Sequence, residues 1–371
     1  MSQLYLGLMS GTSMDGVDAA LVDFSGLHPR LIDGQTYPYP PQLLDELHQL
    51  CSPSEDEIVL MGRADRAVAE VFAQAVSSLL KANFIRPDQI TAIGSHGQTI
   101  RHVPQGEHCF SLQIGDPNTL SCLTGIDVVA DFRRKDIALG GQGAPLVPAF
   151  HQAVFASNEQ ARVVLNIGGI SNITYLPADK DKPVLGFDTG PGNTLMDAWC
   201  HKHTGKNFDF KGAWAAQSSA DSGLFTALHN HPYFKQNAPK STGREMFNLG
   251  WLEERLAEYP VQLREETVQA TLVLLTSRTI TEQITKLSDV SQVFVCGGGA
   301  QNEFLMECLE NELHECELNT TDALGIAADS VEAMAFAWLA YAHINGIEGN
   351  IPTVTGARKV AVLGTFCPSL K

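Results

Sequence analysis

The sequence predicts an α/β protein made of two similar domains. Apolar, strand-like runs alternate with segments of helical periodicity, which is typical of layered α/β folds. Each half also opens with a strand, a turn of Gly, Ser, Thr or Asn, and a second strand. These two openings indicate a degenerate duplication rather than a short-period repeat. We expect residues 1–130 in the first domain and 131–371 in the second, and it stays open whether the C-terminal segment returns to the first domain.

The first half begins with a predicted hairpin whose strands cover residues 4–9 and 17–24. In the second strand Val17, Ala19 and Leu21 alternate with their neighbours at a period of two. The other elements predicted in this half are a helix at 63–82, a strand at 90–93, a loop at 95–99 and a strand at 128–130.

The second half repeats this beginning with the string "RVVLNIGGISNITYL" at residues 162–176. A stretch rich in Gly and Pro precedes it at 137–148 and is either a linker or a ligand loop. The other predicted elements are the turn-bearing string "GFDTGPGN", a helix at 266–286, a buried strand that runs into a glycine turn at 293–302 and a helix at 326–343.

Composition excludes several classes of protein. The 371 residues are 44% hydrophobic and 18% charged, which argues against disorder. The net charge of -17 excludes a protein that coats nucleic acid or anionic membranes. The eight cysteines form no C-x-x-C pair, so we expect free thiols in a reducing cytosol. We find no secretory signal and no run long enough to span a bilayer, and we expect a cytoplasmic protein.

Four glycine-rich turns follow predicted strands, at residues 10–16, 168–171, 189–193 and 297–299. Glycine lets several backbone N–H groups approach one anion, so turns of this kind suit phosphate. No lysine follows Gly11 or Gly16, which excludes a Walker A loop. The string at 297–302 lacks the last glycine of a dinucleotide fingerprint. A phosphate-binding protein of another type is therefore expected.

The first glycine turn contains no cation and carries two carboxylates, Asp15 and Asp18. A magnesium ion bound to the phosphates would supply the positive charge that this loop lacks. The hydroxyls of Ser10, Thr12 and Ser13 can then hold phosphate oxygens. Asp15 can hold the hydrated metal, since Mg²⁺ prefers carboxylates and keeps several waters.

The motifs resemble those of the anhydro-N-acetylmuramic acid kinases, a branch of the sugar kinase, Hsp70 and actin superfamily. The strings that carry the resemblance cover nearly the whole chain in order: "GLMSGTSMDGVDAAL", "SHGQTIRH", "DFRRKDIALGGQGAPLVP", "LNIGGISN", "FDTGPGN", "CGGGAQN" and "VTGA". The resemblance implies two duplicated actin/hexokinase-like (ribonuclease H-like) domains around an ATP cleft, with Mg²⁺ as metal and a homodimer as assembly. It implies that ATP and water open the 1,6-anhydro ring of anhydro-N-acetylmuramic acid and that O6 is phosphorylated, in cell-wall recycling.

The resemblance also implies an ATP site made of several turns. The first phosphate loop would be Gly11, Thr12, Ser13, Met14, Asp15, Gly16, Val17 and Asp18. The second would include Gly168, Gly169 and Asn172. The turn of Gly297, Gly298 and Gly299 would face the adenosine.

Asp188, in "FDTGPGN", is the predicted catalytic base. Many superfamily members carry Asp-x-Gly-Gly in the second hairpin, whereas this chain has Asn166 there. Asparagine cannot act as a base at neutral pH, so a carboxylate from elsewhere is needed. Asp188 would take a proton from the attacking water. The alternative is an aspartate that only caps a turn.

Four side chains are candidates for binding the sugar. Arg133 could hold a carboxylate or a phosphate in a bidentate fork, or form a surface ion pair. His96 and Gln98 could bind sugar hydroxyls or the N-acetyl group, although a structural hydrogen bond of His96 is an equal alternative. Glu332, in an otherwise apolar helix, faces either solvent or the sugar.

Two rival functions stay open at this point. The first is a kinase of another sugar or of a carboxylic acid that uses the same ATP site. The second is an actin- or Hsp70-like ATPase that controls a partner protein.

Overall fold

A computed structural model describes residues 3–11, 14, 16–53, 55–104 and 106–370. The chain divides into two compact units. The first consists of Met1–Val154 with Gly325–Lys371, and the second of Phe155–Leu324.

The first unit contains a seven-stranded sheet. Its strands are β1 (Leu4–Ser10), β2 (Val17–Asp23), β3 (Arg30–Tyr37), β4 (Ile90–Val103), β5 (Phe110–Ile114), β6 (Val128–Ala130) and β12 (Thr365–Cys367). Their order is β12-β6-β4-β1-β2-β3, and β5 pairs with β4. The helices are α1 (Pro41–Leu50), α2 (Glu57–Ala82), α3 (Pro117–Thr124), α4 (Phe132–Ala138), α5 (Val147–Phe155), α11 (Val331–Asn345) and α12 (Pro352–Thr355).

The second unit contains a five-stranded sheet. Its strands are β7 (Ala161–Ile167), β8 (Ile170–Leu176), β9 (Leu185–Pro191), β10 (Val290–Cys296) and β11 (Glu317–Thr320), in the order β11-β10-β7-β8-β9. The helices are α6 (Thr194–Thr204), α7 (Ser222–His229), α8 (Leu249–Glu258), α9 (Glu265–Ile284) and α10 (Glu303–Glu312).

The two sheets share one topology. In each, the first three strands form an antiparallel meander, and the next long strand pairs parallel with the first. A further parallel strand follows on that side, β6 in the first unit and β11 in the second. This repeated order is that of the ribonuclease H-like fold, so the predicted duplication is confirmed.

Strand alternation places different helices on the two faces of the first sheet. Leu6 and Leu8 of β1 share a core with Val68 and Phe72 of α2. The intervening Gly7 faces α11, where a β-carbon on it would lie 1.8 Å from the carbonyl oxygen of Ala333. Glycine therefore lets the backbones of β1 and α11 touch.

The predicted domain border after residue 130 does not coincide with the division of the chain into units. Residues 131–154 lie in the first unit, and so does the C-terminal segment from Gly325. Two contacts explain the return of this segment: β12 pairs with β6, and α11 packs on β1 and β4.

The hairpins and the strand at 128–130 are confirmed, but the predicted loop at 95–99 is wrong. These residues lie within β4, which continues to Val103 because β5 pairs with its second half. The polar side chains of Ser95, His96 and Gln98 are buried, so their polarity does not mark a surface loop. The last long helix begins at Val331 instead of 326, and the helix predicted at 63–82 begins already at Glu57.

All eight cysteines are free thiols, as predicted. Within the described ranges, no helix combines the length and the apolar character that crossing a bilayer requires.

Candidate functional site

The first hairpin of the first unit is held by side chains from other strands. Ser10, the last residue of β1, is fully buried, and its Oγ donates to Gln98 Oε1 at 2.6 Å. Tyr39 OH donates to the same Oγ at 3.0 Å. Gln98 Nε2 in turn donates to the carbonyl of Gly11 at 3.3 Å. Gln98 thus holds the end of β1 and the start of the turn through Ser10 and Gly11.

Three of the predicted phosphate ligands, Thr12, Ser13 and Asp15, lie outside the described residues. Within the turn, the N–H of Met14 donates to the carbonyl of Gly11 at 3.3 Å. Val17 begins β2 and is fully buried, so its side chain is not available to a ligand.

Arg133, which is partly exposed, pairs with the buried His96 next to this hairpin. Arg133 Nη2 donates to His96 Nε2 at 2.8 Å, and Arg133 Nη1 donates to the carbonyl of Gly143 at 2.8 Å. The other ring nitrogen of His96 lies 3.1 Å from the carbonyl of Ser10. Burial lowers the pKa of Arg133 to about 10, while the charges of Glu332 and Asp136 oppose the shift.

Asp136 fixes the glycine-rich segment that follows α4. Its carboxylate is fully buried and accepts hydrogen bonds from Asn350 Nδ2 at 2.7 Å, Thr355 Oγ1 at 2.8 Å and the N–H of Gly143 at 2.9 Å. The peptide groups of Gly143 therefore connect this carboxylate to the guanidinium of Arg133. The stretch predicted as linker or ligand loop is thus anchored within the first unit.

Glu332 faces two charged groups of the first unit. Burial and the negative charge of Asp18 raise the pKa of Glu332, and the positive charge of Arg133 opposes this. Asp18 Oδ1 accepts a hydrogen bond from Thr36 Oγ1 at 2.5 Å. Arg133, Glu332 and Asp18 are thus brought together, whereas Gln98 is bound to the hairpin.

A cavity of about 470 Å³ opens in the first unit. Its lining includes His96, Asp131 and Arg134 but none of Gln98, Arg133 and Glu332. Of the four predicted sugar-binding residues, His96 alone lines this cavity.

In the second unit, three polar residues lie side by side across the sheet. Asn166 of β7 pairs with Asn172 of β8, and Asn172 pairs with Asp188 of β9. Directly paired residues share one face of a sheet. The position of the usual carboxylate in the superfamily, here Asn166, thus lies two strands from Asp188, a separation of about 10 Å.

Asp188 is held by the segment Lys240–Thr242 and by Tyr233. Its N–H donates to the carbonyl of Lys240 at 3.1 Å, and its carbonyl accepts from Tyr233 OH at 2.7 Å. The N–H of Thr242 donates to Oδ2 at 3.0 Å. Oδ1 has no hydrogen-bond partner among the described residues, so this oxygen is available to a ligand.

The electrostatic surroundings of Asp188 suit a base at neutral pH. Burial raises its pKa to about 6, and the charge of Glu245 acts in the same direction. The hydrogen bond from Thr242 and the charge of Lys240 oppose the shift. Burial also lowers the pKa of Lys240 to about 8. Its buried Nζ has no hydrogen-bond partner among the described residues and lies 4.7 Å from the centre of the Tyr233 ring.

Three glycine turns of the second unit meet at the end of β7. The carbonyls of Gly168 and Gly169 accept hydrogen bonds from the N–H groups of residues 192–194. A β-carbon on Gly297 would lie 2.3 Å from Asn166 Oδ1, so the turn of Gly297–Gly299 packs directly on this strand end. The structure thus brings the predicted second phosphate turn and the glycine turn at 189–193 together with the predicted adenosine turn.

The segment 240–245, "KSTGRE", holds Asp188 but is not among the residues predicted for the site. Its two cations in a chain of net charge -17, together with its Ser, Thr and Gly content, were signals that could have singled it out.

No group of three or more His, Cys, Asp or Glu side chains that could hold a metal ion occurs among the residues described here. The carboxylates of the first hairpin are oxygen donors of the kind that a hydrated Mg²⁺ uses. Of these, Asp18 is described and faces Glu332.

The duplicated ribonuclease H-like sheets, with a glycine turn in the first hairpin of each, define a member of the sugar kinase and actin superfamily. A family model described as anhydro-N-acetylmuramic acid kinase matches residues 3–369, and the chain belongs to this family.

Curated relatives with this name match along almost the whole chain. The protein from Shewanella denitrificans is 56% identical over 362 residues, which cover 98% of this chain and 97% of the relative. A relative from Shewanella baltica (strain OS223) is 57% identical over 360 residues and covers 97% of each chain.

Solved structures match at low similarity. An activator of the 2-hydroxyisocaproyl-CoA dehydratase from Clostridium difficile with bound ADPNP is 12% identical, with a TM-score of 0.41 and coverage of 93% of this chain and 96% of that one. A ROK family glucokinase from Streptomyces griseus in complex with glucose and AMPPNP is 11% identical, with a TM-score of 0.39 and coverage of 91% and 98%.

Proposed function

We propose that this protein is a kinase that uses ATP and water to open the 1,6-anhydro ring of anhydro-N-acetylmuramic acid and to phosphorylate O6. The products are N-acetylmuramic acid 6-phosphate and ADP, as in cell-wall recycling. Membership of the family supports this activity. The observation that carries the mechanism is the free Oδ1 of Asp188 on a carboxyl whose pKa burial raises to about 6.

The reaction balances with one proton released. The water oxygen forms a bond to C1 as the bond between C1 and O6 breaks, and the electron pair of that bond stays on O6. O6 then bonds to the γ-phosphorus of ATP, and the bond from this phosphorus to the β-phosphate oxygen breaks. The proton of the attacking water passes to Asp188 Oδ1 and then to solvent.

Asp188 suits this step because it is ionised at neutral pH and yet basic enough to accept a proton. General bases work best when their pKa lies near the working pH. The N–H of Thr242 holds one carboxylate oxygen and leaves the other for water. Asp188 is in our proposal the catalytic residue.

ATP is the phosphoryl donor, and we assign its contacts to glycine turns of both units. In the second unit these are Gly168, Gly169 and Asn172 for phosphate and Gly297–Gly299 for adenosine. In the first unit they are the backbone and hydroxyl groups of Gly11–Asp18. Phosphoryl transfer depends mainly on positioning and on charge stabilisation, which N–H groups at such turns supply.

Asp15, through water, is our proposed ligand for Mg²⁺, with Asp18 as a second carboxylate of the same hairpin. When bound, Mg²⁺ would neutralise phosphate charge.

For the sugar we retain Arg133 and Glu332 as direct ligands. Three of the five N–H groups of Arg133 are used by His96 and Gly143, which leaves two for the lactyl carboxylate. The carboxylate of Glu332 would accept a hydrogen bond from a sugar hydroxyl. His96 and Gln98 would contribute to this site indirectly. His96 would position Arg133, and Gln98 would hold the first hairpin through Ser10 and Gly11.

We further propose a cytoplasmic homodimer. Dependence on ATP and eight free thiols agree with a reducing compartment. Light scattering of the purified protein tests the assembly, and a monomer mass would contradict it.

The function is tested by incubating the protein with ATP, Mg²⁺ and anhydro-N-acetylmuramic acid and analysing the products by mass spectrometry. We expect equal amounts of ADP and of a sugar monophosphate. Asp188→Asn should lower kcat by about 100-fold or more while ATP still binds. Asp181→Asn, an exposed position of the same unit, is the matched control and should retain activity. ADP without phosphorylated sugar, or phosphorylation of another sugar only, would contradict the proposal.

A further inference from the structure

The glycine turn at the end of β7 has a cation beside it that the surrounding sequence does not supply. No Lys or Arg occurs in residues 163–179 or 184–201, which contain the turns at Gly168–Gly169 and Gly192–Asn193. Folding brings Arg244 to this place. A β-carbon on Gly169 would lie 3.3 Å from Arg244 Nη2 and 3.4 Å from Arg244 Nε. The guanidinium therefore lies beside the turn, in the space that a side chain at position 169 would need.

The guanidinium and the groups around it are hydrogen-bond donors that have no partner in the part of the chain that the structure describes. Arg244 is exposed, and within the described ranges its side chain takes part in no hydrogen bond or ion pair. The N–H groups of Gly168 and Gly169 likewise donate to no other described group, because the turn bonds through its carbonyls. Thr194 Oγ1 lies 3.2 Å from the same β-carbon position. Backbone N–H groups, a hydroxyl and a guanidinium that converge in this way match the oxygens of a phosphate.

The segment that carries Arg244 is fixed on both sides. Toward its beginning, the carbonyl of Lys240 and the N–H of Thr242 bind Asp188. Beyond it, Phe247 is fully buried and packs on Tyr233 and other aromatic rings. Arg244 stands between these anchors, so its backbone is held in place before any ligand arrives.

We propose that Arg244 binds the terminal phosphate of ATP and stabilises the charge that develops there during transfer. The inference rests on the proposed function, in which this turn holds the phosphates. A planar guanidinium presents two parallel N–H donors to phosphate oxygens. The same six-residue segment would then position both the base, Asp188, and the phosphate ligand, Arg244.

The test measures the binding of ATP, ADP and AMP, each with Mg²⁺, to the full chain by calorimetry. Arg244→Ala should weaken ATP binding about 10- to 100-fold, since a hydrogen-bonded charge pair is lost, and should leave AMP binding unchanged. Arg264→Ala, an exposed arginine of the same unit, should bind all three nucleotides like the wild type. Unchanged ATP affinity in Arg244→Ala would overturn the inference.

Turnover supplies a second readout. With the sugar present, kcat of Arg244→Ala should fall about 100-fold, as for other single ligands of transition-state charge. Arg244→Lys should recover ATP affinity more than kcat, because an ammonium keeps the charge without the fork. Added guanidinium ion should raise the activity of Arg244→Ala. The role would be contradicted if Arg244→Ala kept the kcat of the wild type and did not respond to guanidinium.

These outcomes separate the two proposals. If the wild type forms no sugar phosphate but Arg244→Ala loses affinity for ATP alone, the proposed function fails and the phosphate site stands. If the wild type forms the sugar phosphate and Arg244→Ala binds and turns over like it, only the role of Arg244 fails.

Discussion

Arg133 Nη2 donates a hydrogen bond to Nε2 of His96 at 2.8 Å. This contact fixes the ring as the neutral tautomer that carries its proton on Nδ1, which lies 3.1 Å from the carbonyl of Ser10. Burial and the charge of Arg133 lower the pKa of His96 well below its usual range. His96 thus connects α4 to the end of β1, where the hairpin that we propose for phosphate binding begins.

His96→Ala should destabilise the protein by about 2 kcal/mol, because it removes the partner of two Arg133 N–H groups and of the carbonyl of the buried Ser10. It should also raise KM for the sugar, since Arg133 loses its orientation. Urea unfolding and steady-state kinetics measure the two effects. His48→Ala, exposed on α1, is the control and should change neither. Unchanged stability and KM in His96→Ala would contradict the role of this pair.

Stability should fall as the pH drops below about 6.5, because buried histidines are neutral in the folded protein and take up protons on unfolding. Burial lowers the pKa of His151 to about 3. Between pH 6.5 and 5 this residue alone should remove about 2 kcal/mol. Asp188 acts in the opposite direction there, because its pKa is raised.

The contribution of His151 is therefore isolated by comparing the wild type with His151→Gln. Urea unfolding from pH 5 to 7 should show a smaller loss of stability toward acid in the variant. Parallel curves for the two proteins would mean that His151 does not titrate on unfolding.

The pH profile of kcat/KM should report the ionisation of Asp188. Activity should rise with pH through about 6 and then level off, because the base must be deprotonated. Lys240→Met should move this rise to higher pH, since the charge of Lys240 lowers the pKa of Asp188. Activity should consequently fall more at pH 6 than at pH 8. Lys180→Met, an exposed residue of the same unit, should leave the profile in place, and an unmoved profile in Lys240→Met would refute the coupling.

Two glycines in the first unit should respond in opposite ways to alanine. A β-carbon on Gly94 would lie 1.9 Å from the carbonyl oxygen of Phe336 in α11. Gly94→Ala should therefore cost about 3 kcal/mol or more, because backbone must move. Gly62, inside α2, has no atom within 4 Å of its β-carbon position, and Gly62→Ala should stabilise by about 1 kcal/mol. Thermal unfolding measures both, and equal melting temperatures would contradict the packing of α11 on β4.

Much of the fold could be predicted because it is encoded locally. The hairpins at 4–24 and 162–176 show strand periodicity around turn residues, and both are found. The predicted loop at 95–99 is wrong because the polar side chains of His96 and Gln98 are buried against distant groups, Arg133 for His96 and Ser10 for Gln98. Similarly, β12 is only three residues long and exists because it pairs with β6.

In the candidate site, too, some residues could be predicted from the sequence and others are brought in only by the fold. Asp188 could be proposed from the sequence because Asn166 occupies the place of a carboxylate and another must replace it. The composition of the segment 240–245 could mark it as unusual, but it could not place Thr242 beside Asp188 or Arg244 beside Gly169, since more than fifty and about seventy-five residues separate these pairs. Only the folded chain shows that the segment 240–245 lies beside both.

In the proposed reaction, water attacks C1 of the sugar while O6 receives the phosphoryl group. Turnover with ATP, Mg²⁺ and anhydro-N-acetylmuramic acid in ¹⁸O-labelled water, followed by mass spectrometry of the product, tests it most directly. We predict one ¹⁸O atom at C1 and none in the transferred phosphate of a sugar phosphorylated on O6. Labelled inorganic phosphate without phosphorylated sugar would instead show an ATPase and contradict the account.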